Sequence, residues 1–209
     1  MFQWSLNSLP PPLPAPDTPE MGLVERARAG DRAAFTALFQ QYNAPICRYL
    51  ARLVGNEEIG RDLAQETFLA AWRSLPGLQE GLRFSPWLYR IATNQAYAHL
   101  RRARLITWLP FADAESGFGV RHPTVAGPEN RVSEAELLDL ALAEVTPKYR
   151  ACLLLQVQQG FSQREIGQLL HISEKSVGIC VSRGREQFRK AYLRLNPVFA
   201  HTKKGETAL

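Results

Sequence analysis

Apolar residues recur at helical spacing in two long blocks of this chain, and this pattern constrains the fold more than any other feature. In the first block, Leu38, Tyr42 and Ile46 follow one another at steps of four. No segment shows the strict apolar and polar alternation of a β-strand. Between the blocks, residues 105–130 contain three prolines and three glycines, which favour a flexible linker. The sequence therefore predicts an all-α protein of two small helical domains joined by a flexible linker.

The predicted segments follow from where the helical pattern starts and stops. The first nineteen residues contain six prolines and cannot sustain a helix or a strand. A length of 209 residues is enough for two small domains. The predicted order is a disordered proline-rich tail at 1–19, a helical domain at 20–104, a linker at 105–130, a second helical domain at 131–196 and a tail at 197–209.

Motifs and composition argue against an enzyme or a membrane protein. No phosphate-binding loop, zinc-protease motif or serine-hydrolase motif is present, so we expect no catalytic residues. The three cysteines form no C-x-x-C pair and the four histidines are scattered, so we expect no metal or other cofactor. Buried or inert thiols are typical of a reducing, cytoplasmic setting. No apolar run is long enough to span a bilayer, and no signal-peptide pattern opens the chain, so membrane insertion and secretion are not expected.

Positive charge is concentrated in two places rather than spread along the chain. Residues 83–112 contain five arginines and no acidic residue, and residues 175–194 contain six basic residues and one glutamate. The net charge of the whole chain is only +5, so the rest of the chain is mildly acidic. Two basic patches indicate two contacts with one polyanion, although either patch alone is also typical of a solvated helix face.

The predicted helix after Glu57 has a polar face that is suited to a protein partner. Asp62, Gln65, Glu66 and Leu69 fall on one side of it, and we call them the docking face. Apolar residues lie on more than one of the other sides, which indicates that two neighbours pack against this helix. The alternative is a central bundle helix with a solvated acidic edge.

The next predicted helix has an arginine and aromatic pattern that fits unpaired nucleic acid. Arg90, Asn94, Tyr97 and Arg101 share one side of this helix, and we call them the melting face. Arginine binds phosphates, asparagine reads base edges, and aromatic rings stack on single-stranded bases. Any single aromatic residue here could instead fill the core.

The second half of the chain ends in a helix-turn-helix pattern. A capping box at Ser162 and Glu165 starts a short predicted helix, and a longer basic helix follows the turn at 171–173. In such motifs the outward residues near the start of the second helix read the major groove. We call these outward residues the recognition face: Lys175, Ser176, Ile179, Ser182 and Arg183.

Several stretches, in this order across a linker, resemble the extracytoplasmic-function (ECF) group of the sigma-70 family of bacterial RNA polymerase sigma factors. The resemblance covers about residues 21–195. It is carried by DLAQETFLAAW (62–72), FSPWLYRIATNQAYAHLRR (84–102), and TPKYRACLLL (146–155) followed by FSQREIGQLLHISEKSVG (161–178).

The resemblance implies a promoter-specificity subunit without catalytic activity. Such a subunit binds core RNA polymerase, recognises the minus-35 and minus-10 promoter elements, and helps to melt DNA to start transcription of a stress or signal regulon. The first domain is similar to sigma region 2, which docks on the β′ clamp helices and melts the minus-10 element. The second is similar to sigma region 4, which docks on the β flap tip and reads the minus-35 element. The linker replaces the larger middle domain of other sigma factors and threads the RNA exit path.

The resemblance also implies a set of contact residues for each partner. The residues implied for polymerase binding are Asp62, Gln65, Glu66, Phe68, Leu69 and Trp72. Those implied for the minus-10 element are Arg83, Phe84, Trp87, Arg90, Asn94, Tyr97, Arg101 and Arg102. Those implied for the minus-35 element are Lys175, Ser176, Ile179, Ser182, Arg183, Arg185 and Arg189. Besides core polymerase and promoter DNA, the implied partner is an anti-sigma factor, and the free protein is expected to be a cytoplasmic monomer that joins the nucleoid within the holoenzyme.

Two departures from the family pattern qualify this expectation. His171 stands in the turn where the family usually has glycine, and Gly178, Ile179 and Cys180 stand where it commonly has basic or polar residues. Fewer charged side chains at the base-reading positions suggest apolar contact with thymine methyl groups.

Two rival functions also stay open. A helix-turn-helix regulator would bind duplex DNA alone, and it leaves the docking face and the aromatic helix unexplained. A structural adaptor would tolerate loss of the arginines at 83–104.

Overall fold

Eight α-helices form the protein in the computed structural model, which describes residues 18–79, 83–103 and 133–196. The N-terminal domain contains α1 (Thr18–Arg28), α2 (Arg32–Val54), α3 (Glu57–Ser74), a short 3-10 helix (Leu75–Gly77) and α4 (Phe84–Arg102). The C-terminal domain contains α5 (Glu134–Ala143), α6 (Pro147–Val157), α7 (Gln163–Leu170) and α8 (Glu174–Leu195). The predicted all-α fold of two helical domains is confirmed. The predicted linker and both predicted tails lie outside the described residues, apart from the first two residues of α1.

Short polar side chains start several helices where the sequence pattern predicts it. The Asp31 carboxylate accepts hydrogen bonds from the backbone N–H groups of Ala33 and Ala34, at 2.8 and 3.1 Å, and so begins α2. Ser162 and Glu165 form both halves of the predicted capping box before α7. These local bonds satisfy N–H groups that have no partner inside their own helix.

Ser85 followed by Pro86 is a sequence pattern that predicts a helix cap at Ser85, but the start of α4 differs from this prediction. The helix begins at Phe84, and Arg83 occupies the cap position without a side-chain bond to the backbone, so the prediction is wrong. Pro86 fits the first turn because the N–H groups of that turn have no partner within the helix. The Phe84 ring is buried against Tyr42, with 5.4 Å between ring centroids, and this burial draws Phe84 into the helix.

The N-terminal domain is built around α2, and α3 approaches it closely at Gly60. A Cβ atom on Gly60 would lie 2.5 Å from the backbone N and Cα of Ala51, so no larger residue fits without moving a helix. On another side of α2, the Tyr49 hydroxyl and the Thr93 hydroxyl share a buried hydrogen bond of 2.7 Å. This bond fixes α4 against α2 and thereby sets the orientation of the melting face.

The C-terminal domain packs α6 and α8 together as antiparallel neighbours. The backbone N–H of Thr146 donates to Gln187 Oε1 at 2.9 Å, and a Cβ atom on Gly184 would lie 3.1 Å from the Tyr149 carbonyl oxygen. The apolar spacing of Leu154, Leu155 and Val157 predicts that all three face inward, but the Val157 side chain is 42% exposed, so the prediction is wrong for Val157. Val157 lies about 200° around the helix from the buried Leu155, on the side that faces away from the core.

The two domains pack against each other through buried polar contacts. The Arg150 guanidinium on α6 donates to the Leu53 carbonyl oxygen at the end of α2, at 3.0 Å. The Tyr89 hydroxyl on α4 donates to Gln159 Oε1 at 2.6 Å, and both residues are buried. One continuous apolar core therefore runs through both domains.

The close contact at Gly60 leads to the first prediction. Gly60→Ala is expected to lower the free energy of unfolding by about 2–3 kcal/mol, because its methyl group overlaps the α2 backbone. Gly22→Ala on α1 is the control, since no atom lies within 4 Å of its Cβ position, and it should raise stability by about 0.5–1 kcal/mol. Chemical denaturation monitored by circular dichroism measures both. A Gly60→Ala variant as stable as the parent would contradict this packing.

Candidate nucleic-acid and polymerase interface

The docking face lies on the solvent side of α3. Asp62, Gln65, Glu66 and Leu69 are all exposed, and the Leu69 side chain is 57% exposed. An exposed leucine among polar residues is typical of a surface that meets another protein. The α3 backbone thus presents all four residues to a partner at once.

A shallow apolar groove of about 550 Å³ runs beside the docking face. The Phe39 and Phe68 rings form its floor in an edge-to-face contact, with 4.8 Å between centroids. Phe68 is buried and Trp72 is half-buried, so these two predicted polymerase contacts can offer a partner only the parts that line the groove. The lining residues are Arg32, Phe35, Thr36, Phe39, Gln65, Phe68, Leu69 and Trp72.

Four of the eight residues that line this groove lie on α2, a helix on which the sequence motifs predicted no site residue. Phe35 and Phe39 lie one helical turn apart and were assigned to the inward side of α2. Phe39 is in fact 37% exposed, and the Phe35 ring contacts the Trp72 ring at 4.8 Å. The signal that could have revealed them is the width of the apolar stripe on α2, which exceeds what one neighbouring helix can cover.

The melting face on α4 is only partly open to solvent. Arg90, Asn94 and Arg101 are exposed, whereas Tyr97 is half-buried. Burial raises the pKa of the Tyr97 hydroxyl well above its ordinary value, so the ring stays neutral. Arg90, Asn94 and Arg101 can therefore contact a partner from solvent, whereas the Tyr97 ring cannot.

The residues at the two ends of α4 fall into different environments. Arg83 and Arg102 are exposed, and Trp87 is half-buried. Phe84 is 2% exposed because its ring lies between Tyr42 and Trp87. Phe84 therefore has a place in the core of the free protein, and its contact with DNA stays a prediction.

The C-terminal domain lies directly over the melting face. A cavity of about 220 Å³ separates the two surfaces and is lined by Asn94, Tyr97, Arg101, Leu169, Leu170 and His171. At the start of α4, the Arg83 guanidinium forms an ion pair with the Glu165 carboxylate on α7. In this arrangement a nucleic-acid base cannot stack on Tyr97 unless α7 first moves away from α4.

The recognition face on α8 points to solvent as the helical pattern predicts. Lys175, Ser182, Arg183 and Ile179 are exposed, and the Ile179 side chain is 47% exposed. Ser176 is half-buried because its hydroxyl hydrogen-bonds the Ser173 hydroxyl at 2.7 Å.

The other predicted minus-35 contacts, Arg185 and Arg189, lie further along α8 and are exposed as well. Beneath them, the inward stripe of this helix holds it on α6. Val177, Val181 and Phe188 are buried as predicted.

The two departures from the family pattern have structural consequences. His171 ends α7 with a φ of 55°, in the left-handed region that favours glycine, so the turn is strained by its side chain. A Cβ atom on Gly178 would lie 3.3 Å from Gln163 Oε1, so a small residue lets α7 approach α8. The described helices include none that is long and apolar enough to cross a membrane.

Comparison with known proteins identifies this architecture. Sigma-70 region 2 matches residues 38–106, and sigma-70 region 4 matches residues 135–188. The RNA polymerase sigma factor CarQ of Myxococcus xanthus is 35% identical over 169 residues, which are 80% of this chain and 94% of CarQ. The ECF RNA polymerase sigma factor SigW of Bacillus subtilis (strain 168) is 31% identical over 177 residues, which are 80% of this chain and 93% of SigW.

Solved structures share the fold. The structure of CnrH in complex with the cytosolic domain of CnrY has a TM-score of 0.58 at 24% identity, and the match covers 85% of this chain and 98% of CnrH. The sigma factor RpoE of Bartonella quintana, solved with the anti-sigma factor NepR, has a TM-score of 0.59 at 20% identity, and covers 78% of this chain and 98% of RpoE. These two structures show that both domains have a known fold in the same order.

The chain belongs to the ECF family of RNA polymerase sigma factors. It is a promoter-recognition factor that partners with core RNA polymerase and promoter DNA. From here the N-terminal domain is called region 2 and the C-terminal domain region 4.

Proposed function

We propose that three surfaces of this sigma factor have three separate binding roles. The docking face and its groove bind the β′ clamp helices, the melting face takes the minus-10 element, and the recognition face reads the minus-35 element while region 4 docks on the β flap tip. The observation that carries the proposal is that one two-domain chain holds three chemically distinct faces, of which the docking and recognition faces are exposed and the melting face is partly covered by the C-terminal domain. We further propose that the protein has no catalytic activity and acts on cytoplasmic polymerase.

The docking proposal rests on charge and apolar surface side by side. Glu66 and Asp62 supply two carboxylates next to the exposed Leu69. Apolar contact supplies binding free energy, whereas charge complementarity selects the partner and its orientation. A basic partner with an apolar ridge would fit this combination, and the ridge would enter the groove over Phe68.

The melting proposal requires the two domains to separate. Tyr97 is the aromatic residue of the melting face, and the cavity beneath α7 lies over it. When region 4 binds the flap tip, it would leave α4, and the Tyr97 ring would become available to an unpaired base. The exposed Arg90 and Arg101 on the same face would hold the adjacent phosphates.

The regulon and the inhibitor are also proposals. We propose that the chain serves a stress or signal regulon and is held inactive by an anti-sigma factor. A protein that keeps region 4 against α4, or that covers the groove beside the docking face, would block polymerase binding and melting together.

Charge reversal on the docking face tests the first surface. Glu66→Arg is expected to weaken binding to core polymerase at least tenfold, about 1.4 kcal/mol, since it places a cation where the partner expects an anion. Helix propensity barely changes between these residues. Glu25→Arg, an equal charge change on the exposed side of α1, should leave the affinity unchanged. Fluorescence anisotropy with labelled sigma measures both, and equal affinities for all three proteins would refute the docking assignment.

Removal of the aromatic ring tests the melting face. Tyr97→Ala is expected to preserve closed complexes but to lower permanganate reactivity of promoter thymines about tenfold, because stacking on an unpaired base contributes about 1–3 kcal/mol. Tyr97→Phe keeps the ring and should restore opening, and Asn94→Ala should reduce it. Circular dichroism checks that each variant is folded. If Tyr97→Phe is as defective as Tyr97→Ala, stacking is not the role of this residue.

Methyl-group contacts test the recognition face. Ile179→Ala should weaken binding of holoenzyme only to promoters with a particular minus-35 thymine, and replacing that thymine with uracil should have the same effect on the parent protein. Arg189→Ala should instead weaken binding to all promoters alike. It should also lower, by about one unit, the slope with which log affinity falls as log salt concentration rises. The idea fails if no uracil substitution across the minus-35 element reproduces the Ile179→Ala defect.

A further inference from the structure

Two cysteines of region 4 face each other across the α6 and α8 interface. The contact between Tyr149 and Gly184 sets the register of these antiparallel helices. Three residues further along α6 is Cys152, and four residues back along α8 is Cys180. Both steps are close to one helical turn, so the two side chains meet. Both side chains lie in the same buried apolar core.

The two thiols differ in exposure and in acidity. Cys152 is completely buried, whereas Cys180 keeps 4% of its surface exposed, so a water-sized oxidant reaches Cys180 first. The interaction with the Cys152 side chain lowers the pKa of the Cys180 thiol, burial opposes this change, and the positive charges of Lys148 and Arg183 lower the pKa further. The interaction with Cys180 and burial both raise the pKa of the Cys152 thiol. Cys180 is therefore the nucleophile of the pair, and Cys152 is the protonated partner.

We propose that Cys152 and Cys180 are an oxidisable thiol pair whose disulfide ties α6 to the recognition helix α8. The oxidant is a hydroperoxide such as hydrogen peroxide. The Cys180 thiolate attacks one peroxide oxygen, an S–O bond forms, the O–O bond breaks, and hydroxide leaves and takes up a proton. The Cys152 sulfur then attacks the sulfenic acid, an S–S bond forms, the S–O bond breaks, and water leaves. Two thiols lose two electrons and two protons, and one peroxide becomes two waters.

The disulfide would change the shape of the DNA-reading surface. An S–S bond is about 2.05 Å long, shorter than any non-bonded contact between two sulfur atoms, so oxidation pulls the two helices together at this point. The helices already touch at Gly184, where a Cβ atom would lie only 3.1 Å from the Tyr149 carbonyl oxygen. The movement therefore falls on the half of α8 before Gly184, which carries Lys175 and Ile179. This consequence rests on the proposed role of α8, whereas the disulfide itself does not.

Mass spectrometry of the full-length chain tests the pair. After peroxide treatment, denaturation and alkylation, we expect one alkylated cysteine instead of three and a cross-linked peptide that joins Cys152 to Cys180. Cys47→Ala is the matched control and should not change the cross-link, since Cys47 lies on α2 in region 2. Three alkylated cysteines after treatment, or a cross-link that includes Cys47, would overturn the proposal.

Single variants test which thiol reacts first. In Cys152→Ala the sulfenic acid has no partner, so dimedone should trap it on Cys180, whereas Cys180→Ala should give no adduct on Cys152. The opposite pattern would overturn the assignment of the nucleophile. Thermal unfolding of both variants checks that region 4 remains folded.

Promoter binding by reconstituted holoenzyme tests the consequence. Oxidised protein is expected to bind a minus-35 promoter at least fivefold more weakly than reduced protein, dithiothreitol should restore binding, and Cys180→Ala should show no response to peroxide. If the cross-link forms and affinity does not change, oxidation does not reach the recognition face. Failure of Ile179→Ala to alter promoter binding would instead remove the proposed role of α8 and leave the cross-link result standing.

Discussion

The Arg150 guanidinium on α6 joins the C-terminal ends of α5 and α2, and the packing of the two domains depends on it. It is 3% exposed and donates to the carbonyl oxygens of Ala143, the last residue of α5, of Val145 just after α5, and of Leu53 at the end of α2. Burial lowers its pKa to about 10, so the group keeps its charge at neutral pH. Carbonyl groups at helix ends have no partner in their own helix, and leaving one buried and unpaired costs about 1–3 kcal/mol. One cation therefore satisfies ends that belong to both domains.

This arrangement links stability of the free protein to concealment of its melting face. The contacts that hold region 4 on region 2 include the Tyr89 and Gln159 hydrogen bond and the edge-to-face contact of Tyr89 with Phe161. They lie on α4 about two turns before Tyr97, so the same packing that completes the core also holds the C-terminal domain over an aromatic residue proposed to bind DNA. Separation of the domains would expose these buried groups, and polymerase contacts would have to offset that loss.

The sequence predicted which face of a single helix is buried better than it predicted how neighbouring helices cover individual residues. Periodicity correctly placed Val177 and Val181 inside and Ile179 outside, because one helix face is decided by spacing alone. It could not show that Phe84 is buried, because an aromatic residue at a helix start fits a DNA contact and a core position equally well. It also missed the α2 side of the groove, since exposure of Phe39 depends on how far the neighbouring helix extends over it.

The sequence by itself determined the helical class, the two-domain order and the family, because hydrophobic period, caps and motifs are local properties of the chain. Only the tertiary structure decided that region 4 covers Tyr97, that Arg150 bridges the domains, and that Cys152 meets Cys180. These pairings join residues that are distant along the chain or lie on different helices. Their contacts depend on the register and angle of packed helices, which no local pattern encodes.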